Sequence, residues 1–125
     1  MNKTTLQTSQ SEVVYYQLEK VRFIIKDATE LDIAYAYDDL VFSEHGLFII
    51  QFNKKSEDVL SCWFNKDCED DARFKLFKSL TSTAKLNNLK INYSGKFEMI
   101  QKEGEDQISL KFTKEYMLDK QTIYA

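Results

Sequence analysis

The single histidine, His45, is the first residue to consider for chemistry because it follows Glu44 in a short polar segment between two apolar runs. An imidazole beside a carboxylate can act as a general base or as a sensor of pH near neutrality. The sequence has no second histidine that would complete a metal site with it. We therefore interpret His45 as a polar turn residue, and we retain a catalytic or small-ligand site near Glu44 and His45 as an alternative hypothesis.

Four carboxylates lie close together in the sequence, as Asp67, Glu69, Asp70 and Asp71. In a calcium loop beginning at Asn65, the position that needs glycine holds Asp70 and the closing glutamate position holds Leu76. Negative charge in the first turn of a helix also stabilises the helix dipole without any metal. We therefore predict a helix start here, and we predict no metal and no cofactor for the chain.

Three further aspartates, Asp32, Asp38 and Asp39, could act as an acid and a base if the fold brought them together. Their spacing instead places Asp32 and Asp38 on the outward face of a strand, beside the small residues Ala34 and Ala36. Only three glycines occur, all isolated, which excludes phosphate-binding loops built from successive glycines. The residue types and spacings therefore predict a protein that is not an enzyme.

The two cysteines, Cys62 and Cys68, match neither a CxxC motif nor a zinc knuckle. They predict free thiols in a reducing compartment, and hence a cytoplasmic protein. The first residues lack the apolar core of a signal peptide, and no stretch approaches the ~20 apolar residues of a membrane-spanning helix. We therefore predict no membrane association.

The composition is that of a globular domain: 125 residues, 43% hydrophobic and 30% charged, with a net charge of -3. Only Arg22 and Arg73 among the 17 basic residues are arginines, the residue preferred for bidentate phosphate contacts. The lysines are dispersed among acidic neighbours instead of forming a basic stripe. The sequence therefore predicts no nucleic-acid binding.

Apolar patterning predicts the secondary structure. Alternating or two-sided apolar runs predict strands over 31–37, 40–42, 47–52, 59–64, 90–101 and 107–113. Residues 21–25 are rich in β-branched and aromatic side chains and favour a strand, whereas residues 13–19 fit either a helix or a strand. Gly95, inside the longest run, indicates a bulge or a bend.

The clearest helix is predicted over residues 67–86, with Asp67 as its N-cap and an Asn87-Asn88 stop. Its apolar stripe recurs at helical spacing, through Ala72, Leu76, Phe77, Leu80 and Ala84.

Short strands joined by turns predict antiparallel pairing. The predicted fold is α+β: a twisted antiparallel sheet of about five to six strands on one main helix, in the order strands, helix, hairpin, with a possible short N-terminal helix. Residues 13–118 would form this single domain. A mobile polar arm, residues 1–12, would precede it, and a tail, residues 119–125, would follow it.

Aromatic residues exceed what a small core needs, and tyrosine and tryptophan are enriched at the centres of protein interfaces. The candidate interface residues are Tyr15, Tyr16, Tyr35, Tyr37 and Trp63. Two predicted strands are apolar on both faces, yet only one helix is available to cover them. We therefore predict a non-enzymatic interaction protein that binds a protein partner or itself, as a homo-oligomer or as a small subunit of a larger assembly such as a virion, a secretion apparatus or an immunity complex.

A second hypothesis depends on residues 13–19. If they are helical, the order helix, strands, helix, strands resembles the layout of type III secretion chaperones, which implies a small acidic cytosolic chaperone.

Overall fold

Two helices and six strands make up the part of the chain that the computed structural model describes, residues 8–101, 103–104 and 108–116, with side chains described from residue 17 onward. In chain order they are α1 (Thr8–Thr29), β1 (Ile33–Tyr37), β2 (Leu40–Ser43), β3 (Phe48–Phe52), β4 (Val59–Asn65), α2 (Asp70–Leu86), β5 (Lys90–Gln101) and β6 (Ile108–Lys114). A 3-10 turn, Glu44–Gly46, joins β2 to β3. The predicted tail, residues 119–125, lies outside the described residues.

The six strands form one sheet in the order β1-β2-β3-β4-β5-β6. The predicted α+β class and strand number are confirmed, but the prediction of a purely antiparallel sheet is wrong because β4 and β5 are parallel. The other four neighbouring pairs are antiparallel. The parallel pair arises because α2 carries the chain back along the sheet between β4 and β5, as a crossover connection does.

Helix α1 corrects the strand predicted over residues 21–25. Val21, Ile24 and Ile25 are fully buried there, whereas Arg22 and Phe23 are exposed. This burial follows the helical period, so packing of one helix stripe overrides the β propensity of these side chains. The helix also resolves residues 13–19 as helical, and it begins within the segment predicted to be an arm.

Helix α2 agrees with the predicted helix except at its start. It begins at Asp70, and Asp67 is not its N-cap; Asp67 instead donates its backbone N–H to Asn65 Oδ1 at 2.9 Å in the preceding turn. Leu80 and Ala84 are buried, while Ala72 is exposed. Beyond the helix end, at Asn88, the backbone takes the left-handed conformation, with φ 64°.

Strand β5 contains a bulge that exchanges its two faces. Cys62 pairs with Tyr93 but Trp63 pairs with Gly95, so one extra residue, Ser94, interrupts the alternation. Odd-numbered residues of β5 before this bulge therefore point to one face of the sheet, and odd-numbered residues after it point to the other. A side chain at Gly95 would overlap the Thr113 carbonyl of β6, so the close approach of two backbones requires glycine here.

Both helices pack on one face of the sheet, which we call the covered face. Its core joins residues of the two helices, Val21, Ile24, Ile25, Leu80 and Ala84, to Leu89 before β5 and to strand residues, namely Val41, Phe48, Ile50, Leu60, Cys62, Phe64 and Ile91. Among the described residues, no helix is long and apolar enough to cross a membrane.

Candidate functional site

The face of the sheet opposite the helices carries a second apolar cluster, and we call it the open face. Strand register and contacts assign to it Tyr35, Tyr37, Leu40, Phe42, Ile49, Gln51, Trp63, Phe97, Met99, Ile108, Leu110 and Phe112. Within the described residues, no helix residue belongs to its buried cluster. The open face is therefore the apolar surface of the domain that the two helices leave uncovered.

The open face is closed at its centre and exposed toward its two edges. Ile49 and Phe97 are completely buried within the cluster of neighbouring side chains on this face. At one edge, Tyr35 on β1 is 58% exposed, and at the other edge Ile108 on β6 is 54% exposed. Met99 lies near the second edge and is also exposed. The exposed apolar area therefore borders both edge strands of the sheet.

Trp63 anchors the centre of the open face. Its ring meets Phe112 of β6 with centroids 4.7 Å apart, in an edge-to-face arrangement. Its indole Nε1 donates to Gln51 Oε1 at 3.0 Å, and Gln51 Nε2 donates to Asp39 Oδ2 at 3.0 Å. These contacts therefore join β6, β4, β3 and the turn after β1 across the open face.

The structure brings three of the five candidate interface residues together on this face. Tyr35 and Tyr37 are exposed there, and Tyr35 packs on Phe42 with ring centroids 4.8 Å apart. Trp63 is nearly buried, so it supports the surface instead of forming its most accessible part. Tyr15 and Tyr16 lie in α1, and their side chains are outside the described residues.

Sequence reasoning missed three exposed members of the open face: Met99, Ile108 and Phe112. The alternation of Ile108 and Phe112 with polar residues was visible in the sequence and could have indicated them. Met99 and Tyr93 are an even number of residues apart in β5, so regular alternation would place them on the same face. The bulge at Ser94 places them on opposite faces instead. Only Gly95 gives a sequence signal of that change.

Glu44 and His45 do not form a pair. The Glu44 carboxylate accepts the backbone N–H of Asp32 at 2.8 Å, and the Glu44 N–H donates to the Asp32 carbonyl at 2.9 Å. His45 is exposed and takes the left-handed conformation of a turn, with φ 64°. In the structure, therefore, Glu44 fastens the segment before β1 to the turn after β2.

Of the three aspartates considered as an acid–base set, Asp32 and Asp39 have separate partners. Asp32 and Asp38 flank opposite ends of β1, and Asp39 accepts from Gln51. The pKa of Asp32 is lowered because its carboxylate accepts the backbone N–H of Ile33, with the Arg22 guanidinium as a second cause. These bonds make Asp32 a cap for the start of β1.

A polar network lies where α2 begins, on the covered side of the sheet. Arg73 is almost fully buried; its Nη2 lies 2.9 Å from Asp70 Oδ1, and its Nη1 lies 3.8 Å from Glu115 Oε1. The Tyr93 hydroxyl donates to Glu115 Oε1 at 2.7 Å, and Lys96 Nζ lies 3.5 Å from Glu115 Oε2. The network therefore joins the end of β6 to β5 and to the first turn of α2.

Burial raises the pKa of the Tyr93 phenol, and the bond to the Glu115 carboxylate raises it further. Arg73 Nε and Nη1 have no hydrogen-bond partner among the described residues, although the guanidinium lies 5.9 Å from the centre of the Tyr93 ring. Both nitrogens are shielded from solvent, so the arrangement acts as a structural charge cluster rather than an accessible anion site.

The remaining candidate ligands are not assembled into a metal site in the described part of the chain, where no group of three histidine, cysteine or acidic side chains could hold an ion. Cys62 is buried and Cys68 is half-buried, and both are free thiols. Burial raises the pKa of each thiol, most strongly that of Cys62.

Comparison of the chain with known protein families, with curated proteins and with solved structures finds no match.

Proposed function

We propose that this chain is a non-enzymatic protein–protein interaction protein whose binding surface is the open face, acting as a small subunit of a larger assembly or as a homo-oligomer. The observation that carries the proposal is the exposure of large apolar side chains along both edges of that face. Those edges contain Tyr35 and Tyr37 on one side, and Met99, Ile108 and Phe112 on the other. An apolar surface of this kind is typical of sites that are covered in a complex.

The chemistry of the surface supports a protein as the partner. Tyrosine, phenylalanine and methionine are enriched at protein interfaces because they combine large contact area with few flexible bonds or with adaptable shape. The edge strands add a second mode of binding, since each can pair its main chain with an added strand. The free thiols support a cytoplasmic location. Virion, secretion-apparatus and immunity-type components are the kinds of assembly that this proposal covers.

Paired variants test the surface. Tyr35→Ser with Ile108→Ser removes two exposed apolar side chains from the open face, while Phe23→Ser with Leu86→Ser removes two exposed apolar side chains from the helices. Because all four side chains are exposed, both variants should remain folded, which circular dichroism checks. The tagged proteins are then compared by affinity capture from the source cells with quantitative mass spectrometry, and by sedimentation velocity.

Loss of the captured partner, or of self-association, in the open-face variant alone would support the proposal. Equal losses in both variants, or binding unchanged in both, would contradict it because the open face would then make no particular contribution.

A second candidate function follows from helix α1. Because residues 13–19 are helical, the chain has the order helix, strands, helix, strands on which the resemblance to type III secretion chaperones depended. This second candidate is supported by the order of the helices and strands alone. A client segment that adds to an exposed edge strand would be extended, so hydrogen exchange of a captured partner would show protection along one continuous segment. Protection spread over the surface of a folded domain would favour the interaction subunit instead.

A further inference from the structure

We propose that the two exposed edges of the open face, along β1 and β6, bind a second copy of this chain, joined head to tail by pairing of the β1 edge of one copy with the β6 edge of the next. This inference rests on the proposed function and names the partner of the same surface. Within the described residues, β1 and β6 are the two outer strands of the sheet, and neither has a neighbour on its outer side. Each therefore presents a row of main-chain donors and acceptors.

The directions of the strands permit this pairing. Four of the five neighbouring pairs are antiparallel and one is parallel, so β1 and β6 run in the same direction. Two copies placed side by side with their open faces on the same side would bring β1 and β6 together as a parallel pair. The six-stranded sheet would then continue from one copy into the next.

The charges of the two edges are complementary. The β6 segment carries Lys111 and Lys114 and no acidic residue between Ile108 and Lys114. Glu115 follows it directly, but its carboxylate is engaged by Tyr93, Arg73 and Lys96. The β1 segment carries no charge, and Asp38 and Asp39 follow it directly. No ion pair among the described residues includes Lys111, Lys114, Asp38 or Asp39. Contact between the edges would bring a lysine of one edge near the aspartates of the other.

The apolar side chains of the two edges also match. Tyr35 and Tyr37 alternate on β1, and Leu110 and Phe112 alternate on β6, all on the open face. Registers that keep the faces aligned place Phe112, Leu110 or Ile108 beside Tyr35. In the first two Lys114 falls within one residue of Asp38, and in the third Lys111 lies opposite Asp38, so the apolar and charged contacts form together.

Pairing of like edges is less favourable. Two β6 strands paired over their full length about a twofold axis would place each Lys111 opposite its own copy, and two β1 strands would bring aspartates together at both ends. A contact between unlike edges is heterologous, so it does not stop at two copies and produces a ring or a filament. Assemblies larger than a dimer are therefore expected at high protein concentration.

Two edge variants test the pairing. Lys111→Gln with Lys114→Glu makes the β6 edge acidic and avoids placing a like charge opposite Glu98, the cross-strand neighbour of Lys111. Ala36→Lys with Asp38→Asn makes the β1 edge basic, and asparagine tolerates the left-handed backbone at Asp38, where φ is 58°. Ala36 and the replaced charged side chains are exposed, and thermal unfolding checks that both variants fold.

Sedimentation velocity over a series of concentrations is performed on the native chain, on each variant and on their equimolar mixture. We expect concentration-dependent association of the native chain, association weaker by about tenfold or more in each variant alone, and recovery in the mixture. Recovery is expected because each variant retains one edge that complements the other. Native-chain association should also weaken as salt is added.

A native chain that remains monomeric overturns this inference, as does association that stops at a dimer or a mixture that associates no better than its components. If the native chain is monomeric while the open-face variant loses a captured foreign protein, the inference fails and the proposed function stands. If the open-face variant also loses nothing, both fail.

Discussion

Trp63 donates its indole N–H to the side-chain oxygen of Gln51 at 3.0 Å, across neighbouring strands at the centre of the open face. The amide nitrogen of the same Gln51 donates to Asp39 Oδ2 at 3.0 Å. The Gln51 side chain thus accepts from Trp63 and donates to Asp39, and these two bonds fix the orientation of its amide. The polar centre of the open face is therefore part of the scaffold, and the exposed apolar side chains lie toward the edges.

Replacement of Gln51 by leucine should destabilise the domain by about 1–3 kcal/mol, because the indole N–H of Trp63, nearly buried, loses its acceptor. Urea unfolding followed by circular dichroism measures the change. The same replacement in a Trp63→Phe background is the control, since phenylalanine needs no acceptor. An equal cost in both backgrounds would show that the hydrogen bond contributes nothing.

The sequence indicated the α+β class, the strand number and α2 because these depend on local periodicity that continues over many residues. It did not indicate the parallel pair of β4 and β5, since strand direction depends on where a crossover returns the chain. It also favoured a strand at residues 21–25, where β-branched side chains lie in a buried helix stripe. Burial against the sheet decided that segment, and burial is not a local property.

The candidate site was predictable in part for the same reason. Ile33, Tyr35 and Tyr37 alternate with smaller residues, so a regular strand would place all three on one face. An irregularity in the β1–β2 register instead places Ile33 on the covered face and the two tyrosines on the open face. Such an irregularity has no signature in the residue types around Ala34. The network of Arg73 and Glu115 was missed because these residues are distant in sequence and meet only after β6 packs beside β5.

Replacement of Gly95 by alanine should be among the most damaging single changes in the chain. The added methyl would overlap the Thr113 carbonyl, and the backbone φ of 145° is unfavourable for alanine. We expect a loss of about 3 kcal/mol or more in the free energy of unfolding. Gly104→Ala is the matched control, because its φ is also positive, at 82°, but no atom lies within 4 Å of the added methyl.

Urea denaturation of the two glycine variants measures this difference. Equal destabilisation would mean that backbone conformation alone accounts for the effect, and that the contact between β5 and β6 at Gly95 is looser than the structure shows.

The two cysteines should react with a thiol reagent at very different rates. Cys62 is fully buried and burial strongly raises the pKa of its thiol, so it should be labelled only when the domain unfolds. Cys68 is half-buried, and it should react in the native state, although more slowly than a free thiol because burial raises its pKa as well. Mass spectrometry of the alkylated protein over time separates the fast labelling of Cys68 from the slow labelling of Cys62. Cys68→Ser should abolish the fast phase. Labelling of both thiols at one rate under native conditions would contradict the buried position of Cys62.

Because the Tyr93 phenol is buried and bonded to Glu115, the stability of the domain should decrease at alkaline pH. The pKa of Tyr93 is raised in the folded state, mainly by burial, so the folded chain retains the phenol proton at pH values where the unfolded chain has lost it. This contribution to stability is complete below the ordinary phenol pKa of 10.0 and is lost progressively as the pH rises above that value. At neutral pH, Tyr93→Phe should cost about 1–2 kcal/mol, because the bond to a charged acceptor is removed.

The native chain and the Tyr93→Phe variant should therefore become more alike in stability as the pH rises past 10.0, because only the native chain has at position 93 a phenol whose ionisation opposes folding. Urea midpoints measured from neutral to alkaline pH test the convergence. Tyr116→Phe, at an exposed position near Glu115, controls for the removal of a phenol outside the network. A constant difference between the native chain and Tyr93→Phe across this range would show that the hydroxyl contributes only packing, and that the link from β5 through Glu115 to α2 does not depend on its proton.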